Sequence, residues 1–323
     1  MKLYPILLLL VCFACSEGQA PPALPTAEDP VNERLATPAL IVLGTVQDAG
    51  APHIGCLKAC CRDLFAHPDP NLKVVALGVV DPENQASYLF EATPDMTGQL
   101  NMLKNWGPAA APELPTGIFL THAHIGHYTG LMYLGKEAIN ATQVPVFAMP
   151  RMKFFLENNG PWSQLVAQQN IALQELTSDT PVTLTPNLTV VPILVPHRDE
   201  FSETVGYRIS GPHKKVLFIP DIDKWEKWDR DIAAEIAQVD YAFIDATFFD
   251  GAELNNRDMA DIPHPFIVES MARFQDLPTA EKNKVYFIHL NHTNPGLRPA
   301  SDQARQVVAN GFHIARMNEV FPL

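Results

Sequence analysis

Thr121-His122-Ala123-His124-Ile125-Gly126-His127 is the stretch on which the reading of this chain turns. It begins where the apolar run Gly117–Thr121, a predicted strand, ends. His122 and His124 are two positions apart, so an extended or turning backbone aims both imidazoles at one cation. His127 lies on the following turn and can point at a second position nearby. A lone histidine after a strand is usually a satisfied core or surface residue. A cluster at one strand end points to metal instead.

Outward from this motif, short apolar runs alternate with helical segments. Strands are predicted at Ala39–Leu43, Val74–Val80, Ser87–Ala92, Val144–Met149, Leu188–Val195, Thr204–Ile209, Lys215–Ile219, Tyr241–Asp245 and Lys284–Ile288. Helical character falls at Leu131–Ile139, Arg151–Asn158 and Pro265–Phe274. This alternation predicts a single α/β domain over residues 38–323. Residues rich in His and Asp recur just past the strand ends, where open α/β sheets place ligands. No Gly-rich phosphate loop or dinucleotide fingerprint is present in the sequence.

The 323 residues are 47% hydrophobic and 18% charged, which excludes a wholly disordered polymer. Lys plus Arg number 23 against 36 Asp plus Glu, a formal charge of −13. A phosphate-tracking nucleic-acid binder needs the opposite sign, so the expected partner is a small molecule and not a nucleic acid. Oligomeric state is not legible. Lys2 precedes an apolar run, Ile6–Ala14, that is too short to cross a bilayer as a helix and has the size of a signal-peptide core. Its end, Cys12-Phe13-Ala14-Cys15-Ser16, resembles a bacterial lipoprotein signal: residues 1–14 are removed and Cys15 takes the lipid. An ordinary secretory signal cleaved nearby is the alternative. Residues 15–37, rich in Pro and Ala, read as a flexible tether. The expectation is an exported domain, lipid-anchored to a bacterial membrane and facing the periplasm or cell surface.

The central motif resembles the His-x-His-x-Asp-His signature of the metallo-β-lactamase fold superfamily. That family's later ligands have counterparts here in the same order: His197 in Val195-Pro196-His197, Asp221 in Ile219-Pro220-Asp221, and His289 in Phe287-Ile288-His289. The resemblance implies an αββα sandwich with one cation on His122, His124, His197 and Asp221. It implies a second on His127, His289 and the shared Asp221. The acid of the motif is Gly126 here, which leaves that second set one ligand short. Zn²⁺ suits these donors, as one ion or two, with Fe²⁺ or Mn²⁺ as alternatives.

Two groups within the superfamily resemble this chain more closely. Glu91-Ala92-Thr93-Pro94-Asp95 and His289-Leu290-Asn291-His292-Thr293-Asn294-Pro295 look like the pyrroloquinoline-quinone biosynthesis protein B group. The cysteine cluster, the histidine set and Pro263-His264-Pro265 look like cyclic-phosphate phosphodiesterases and, further off, RNase Z. In such phosphodiesterases a structural Zn²⁺ sits on a comparable loop, which carries over to Cys56, Cys60, Cys61 and His292. A disulfide plus one free thiol is the alternative, although adjacent Cys60 and Cys61 rarely bridge each other. The same resemblance gives His264 the role of proton donor to the leaving group, with Asp245 orienting it or capping a helix. Gln47 and Asp48 are expected at the pocket rim, His53 as a possible thiol substitute, and His67 and His213 in solvent.

The function these features imply is a metal-dependent hydrolase, phosphodiesterase-like, that uses a metal-activated water on a small phosphodiester or related ester, with Asp221 orienting the water. Two other readings stay open. One is an accessory role in pyrroloquinoline-quinone biosynthesis or transport. The other is a non-catalytic metal-binding lipoprotein, suggested by Gly126.

Overall fold

The computed structural model describes residues 34–108, 112–254 and 257–323. The expected signal segment 1–14, the lipidation at Cys15 and nearly all of the tether lie outside these residues. Among the described residues, fourteen strands form two seven-stranded sheets. The first is ordered β14 (Val320–Pro322), β1 (Ala39–Gly44), β2 (Ala76–Asp81), β3 (Ala86–Phe90), β4 (Gly117–Phe119), β5 (Val144–Ala148) and β6 (Ile171–Glu175). The second is ordered β13 (His313–Ile314), β12 (Val285–Ile288), β11 (Tyr241–Asp245), β10 (Lys215–Ile219), β9 (Val205–Ser210), β8 (Leu188–Leu194) and β7 (Val182–Thr185). Each sheet is mixed: β3 to β6 and β10 to β13 run parallel, and the remaining pairs antiparallel.

The central strands are apolar without a break because both of their faces are buried. In β1, Leu40 and Val42 face the other sheet, while Ile41 and Leu43 face helices. In β10, Val216 and Phe218 face inward to the first sheet, and Leu217 and Ile219 face outward. Phe90, Phe119, Tyr207, Phe243 and Phe321 fill the space between the sheets.

The helices are α1 (Ala59–Ala66), α2 (Met96–Trp106), α3 (Ile125–Tyr128), α4 (Pro150–Asn158), α5 (Trp162–Ala167), α6 (Ile232–Ala237), α7 (Ile267–Arg273), α8 (Thr279–Lys282) and α9 (Asp302–Ala309). Of these, α2, α4 and α5 cover the first sheet through Met96, Met152, Leu156 and Trp162. On the second sheet, α6, α7 and α9 do the same through Ile232, Ile236, Ile267 and Val307. The layers are therefore helix, sheet, sheet, helix, the expected αββα sandwich, and Glu33–Leu323 form one compact unit.

Several short elements, among them β6, β7, α5, α6 and α9, have no counterpart in the sequence reading, and two further departures have a clear cause. Leu131–Ile139 is not a helix: a 3₁₀ turn, Thr129–Leu134, stops at extended Gly135. Helix α2 was not predicted, because a polar residue, Gln99, sits at a buried position of its inner face. Its side-chain amide donates to the carbonyls of Val74 (2.6 Å) and Leu43 (3.3 Å).

Candidate metal centre

The predicted ligands all leave the same end of the sandwich, each within a few residues of a strand. His122 and His124 follow β4, His197 follows β8, Asp221 follows β10, Asp245 ends β11 and His289 follows β12. Beyond β1 the chain continues as an isolated parallel bridge, Val46 with Leu290. Leu290 N–H donates to the Thr45 carbonyl (2.8 Å) and Gln47 N–H to the Leu290 carbonyl (2.9 Å). This strap ties the two sheets together at the centre and sets Asp48 beside His289.

Asp221, 2% exposed, is the hub. Its Oδ2 lies 3.4 Å from His122 Nε2 and 4.0 Å from His124 Nδ1. Its Oδ1 lies 3.2 Å from His197 Nε2 and 3.1 Å from His264 Nδ1. His122 Nε2 and His124 Nδ1 are only 2.8 Å apart. One donor atom from each of His122, His124, His197 and Asp221 falls within 4.8 Å of the others. Among the described residues, neither ring nitrogen of His197 nor Asp221 Oδ1 has a hydrogen-bond partner, although all are buried. Buried polar atoms left unpaired cost about 1–3 kcal/mol each, so their convergence fits a cation between them.

On the other side of Asp221 a second group assembles from Asp48, His127, Asp221 and His289. Asp48 Oδ1 is 2.9 Å from His127 Nε2 and 3.2 Å from His289 Nε2. Both imidazoles reach Asp221 Oδ2 at 3.9 Å. The set expected to be one ligand short therefore has a carboxylate, and it comes from a loop read only as pocket rim. Glu91, fully buried, stands behind this group: its Oε1 is 3.1 Å from His127 Nδ1 and accepts from Thr121 Oγ1 at 2.6 Å. Glu91 was noticed only as part of a family-like stretch, and its contact with His127 had no signal in the sequence. Glu91 and His289 both hold left-handed backbones, φ 80° and 65°, an uncommon conformation for side-chain-bearing residues.

His264 precedes α7, and its Nδ1 lies 2.9 Å from Asp245 Oδ2. Burial disfavours the imidazolium, but Asp245 and Asp221 outweigh it and push His264 up to about 10. Asp245 does not cap a helix. Its Oδ1 accepts from Thr247 N–H and Oγ–H (2.9 and 2.7 Å), and its Oδ2 from Ile222 N–H (3.1 Å). Asp221 is held well below the carboxylate range: burial opposes this, and His197, His264 and His289 overcome it.

The cysteine loop lies next to this centre. Cys56, Cys60, Cys61 and His292 bring one donor each within 4.8 Å of one another. The sulfurs are 3.8 Å (Cys56–Cys60) and 3.9 Å (Cys60–Cys61) apart, so the thiols are free and not disulfide-bonded. Burial and the Cys56 thiol raise Cys60 to about 12, while burial and His53 lower His292 to about 4. The His53 ring lies 4.3 Å from that of His292, tilted by 33°, and does not join the sulfur group. His67 and His213 are exposed, as expected.

Comparison with known proteins agrees with this architecture. The family model for the beta-lactamase superfamily domain matches residues 87–290. Coenzyme PQQ synthesis protein B of Methylorubrum extorquens (strain PA1) is 24% identical over 305 residues, 85% of this chain and 97% of that protein. Among solved structures, Zn(2+)-bound PqqB from Methylobacterium extorquens superposes with a TM-score of 0.73 at 20% identity, over 88% of this chain and all of that one. A diphosphatase of the PhnP family gives 0.62 at 18% identity, over 88% of this chain and 98% of that one.

Proposed function

Since the chain belongs to the beta-lactamase superfamily, we propose that it is a metal-dependent hydrolase acting on a small phosphodiester or related ester. The observation that carries this reading is His264, buried and clamped by two carboxylates, one of which is the hub of the metal centre. The zinc of the PqqB structure and the donor chemistry here support Zn²⁺ as the cation, held by His122, His124, His197 and Asp221. Bound there, it supplies Lewis acidity, polarising a phosphoryl or carbonyl oxygen and acidifying a water molecule.

The chain's own groups then divide the work. Asp221 Oδ1, which lacks a hydrogen-bond donor of its own, accepts from the attacking water and orients it. Asp245 accepts from His264 Nδ1–H and the charge of Asp221 beside it keeps the ring protonated, which leaves Nε2 to hand a proton to the departing oxygen. The burial of Asp221, His197 and His289 strengthens these contacts.

The likeness to PQQ synthesis protein B favours a second reading, an accessory or oxidative role in quinone-cofactor chemistry. Both family-like stretches put residues into the centre, Glu91 and His289. The third reading, a non-catalytic metal-binding lipoprotein, was motivated by Gly126; Asp48 supplies a carboxylate beside His127 all the same. We further propose export on a lipid at Cys15; labelling with a fatty acid that persists in Cys15→Ser would contradict this.

The test is metal analysis of protein purified without chelators, followed by chromogenic phosphodiesters, lactones and thioesters. Activity on one ester class is expected, and His122→Ala combined with His197→Ala removes both the catalytic metal and turnover. Retention of that metal by the double variant refutes the ligand assignment. Turnover only with iron and dioxygen favours the quinone reading.

A further inference from the structure

Gly126 stands where the superfamily motif carries its acid, and the space beside it is already filled. A Cβ built on Gly126 would lie 2.5 Å from Asp48 Cα, 2.6 Å from Asp48 Oδ1 and 2.9 Å from Asp48 Cβ. The first of these is backbone, which no rotamer change relieves. Asp48 and a side chain at 126 therefore exclude each other, and the absence of the one is what admits the other.

The hydrogen-bond network shows what Asp48 faces. Thr247 spends its hydroxyl proton on Asp245 Oδ1 (2.7 Å), so its oxygen accepts from His289 Nδ1–H at 2.9 Å. In the neutral ring, His289 Nε2 then presents a lone pair toward Asp48 at 3.2 Å. Glu91, an acceptor only, lies 3.1 Å from His127 Nδ1, and in a neutral ring with its proton on that nitrogen His127 Nε2 is likewise free to bind a cation. Four acceptors converge: two imidazole nitrogens, Asp48 Oδ1 and Asp221 Oδ2, all within 4.8 Å. Lone pairs crowded in this way repel unless a positive charge lies among them.

We propose that Asp48 is the carboxylate ligand of a second divalent cation, held with His127, His289 and the shared Asp221. It supplies from the loop after β1 the oxygen that the superfamily motif draws from its own acid. This rests on reading the centre as a metal site. With two nitrogens and two oxygens, the second set is harder than the three-imidazole set beside it, and relative to its neighbour it favours Mn²⁺ or Fe²⁺ over Zn²⁺. Asp221 belongs to both donor sets and would serve both cations, and it is also the carboxylate that touches His264.

The test is the metal content of the full-length protein, stripped and reloaded with Zn²⁺ or Co²⁺. Thiolate-to-cobalt charge-transfer bands count an ion on the cysteine loop separately from the visible bands of histidine–carboxylate sites. The wild type is expected to hold two ions in the centre. Asp48→Asn is expected to hold one, with the second weakened by more than about 100-fold, since even losing a group behind a ligand costs 10–100-fold. Gly126→Ala, which drives a methyl group into Asp48, should lose the same ion while keeping the first. Unchanged circular dichroism and an unchanged thiolate band show that each variant is folded. Asp48→Asn that still holds two ions at wild-type affinity overturns the proposal. So does a wild type that takes a single ion lost in His122→Ala/His197→Ala; the metal centre then stands and Asp48 is only an ion-pair partner of His127. A wild type that takes no ion in the centre overturns the metal reading itself, and the proposal with it.

Discussion

At His264 two carboxylates share one ring nitrogen, Asp245 Oδ2 at 2.9 Å and Asp221 Oδ1 at 3.1 Å. A proton donor so held matters in proportion to how badly the leaving group needs a proton. His264→Gln should lower kcat by about 10²–10⁴ on alkyl esters and far less on nitrophenyl esters, whose phenolate departs unaided. Equal losses on both would remove His264 from the chemistry. The metal-binding side of this arrangement could be read in the sequence because His122, His124, His197, Asp221 and His289 stand near strand ends in the order of the superfamily's ligands. Asp48 could not be placed in the same way. Its nearness to Gly126 and His289 depends on the Val46–Leu290 bridge, a contact between sheets that local pattern does not encode. Nor does spacing along the chain put Glu91 behind His127, since that contact joins the end of β3 to the turn after β4.

Among the elements, the strands were legible and the connections less so. Strands β1, β10 and β11 announced themselves because burial on both faces demands an unbroken apolar run. Helix α2 and strand β7 did not, since buried polar residues, Gln99 and Thr185, interrupt their apolar patterns. The turn between β2 and β3 shows how such residues work. Asp81, fully buried, accepts from Thr185 Oγ1 (2.6 Å), Asn84 Nδ2 (2.7 Å) and Asn187 Nδ2 (3.3 Å), clipping the β2–β3 turn to the β7–β8 turn of the other sheet. Burial opposes its ionisation, but the Thr185 and Asn84 donors hold Asp81 below its ordinary value. A carboxyl depressed on folding contributes stability above its unfolded pKa of about 3.9 and loses it as pH falls through the lower folded value. Asp81→Ala should therefore cost about 1–3 kcal/mol at pH 7. The gap in urea midpoint should hold down to about pH 4 and narrow below it. A gap that widens in acid contradicts this account.

For the molecule as a whole, the centre is a seam. Asp48, His122, His124 and His127 come from the first sheet and its connections, whereas His197, Asp221, Asp245, His264 and His289 come from the second. A cation bound there ties the two halves of the sandwich together and is bound by the folded chain alone. Each ion present at a hundredfold excess over its dissociation constant should add about 2.7 kcal/mol to stability. Chelation should lower the thermal midpoint while leaving a single cooperative transition. A midpoint indifferent to chelator would mean that the ion is not held across the seam.

The order in which the chain is made gives this seam a further consequence. The three histidines of the central motif emerge from the ribosome early, and His289 comes only near the end, on the strand that places it opposite Asp48. Domains fold as units once their residues are available. The first set can assemble once Asp221 is made, but the second cannot close before His289, so an ion on it would be taken up only after nearly all of the chain has been synthesised.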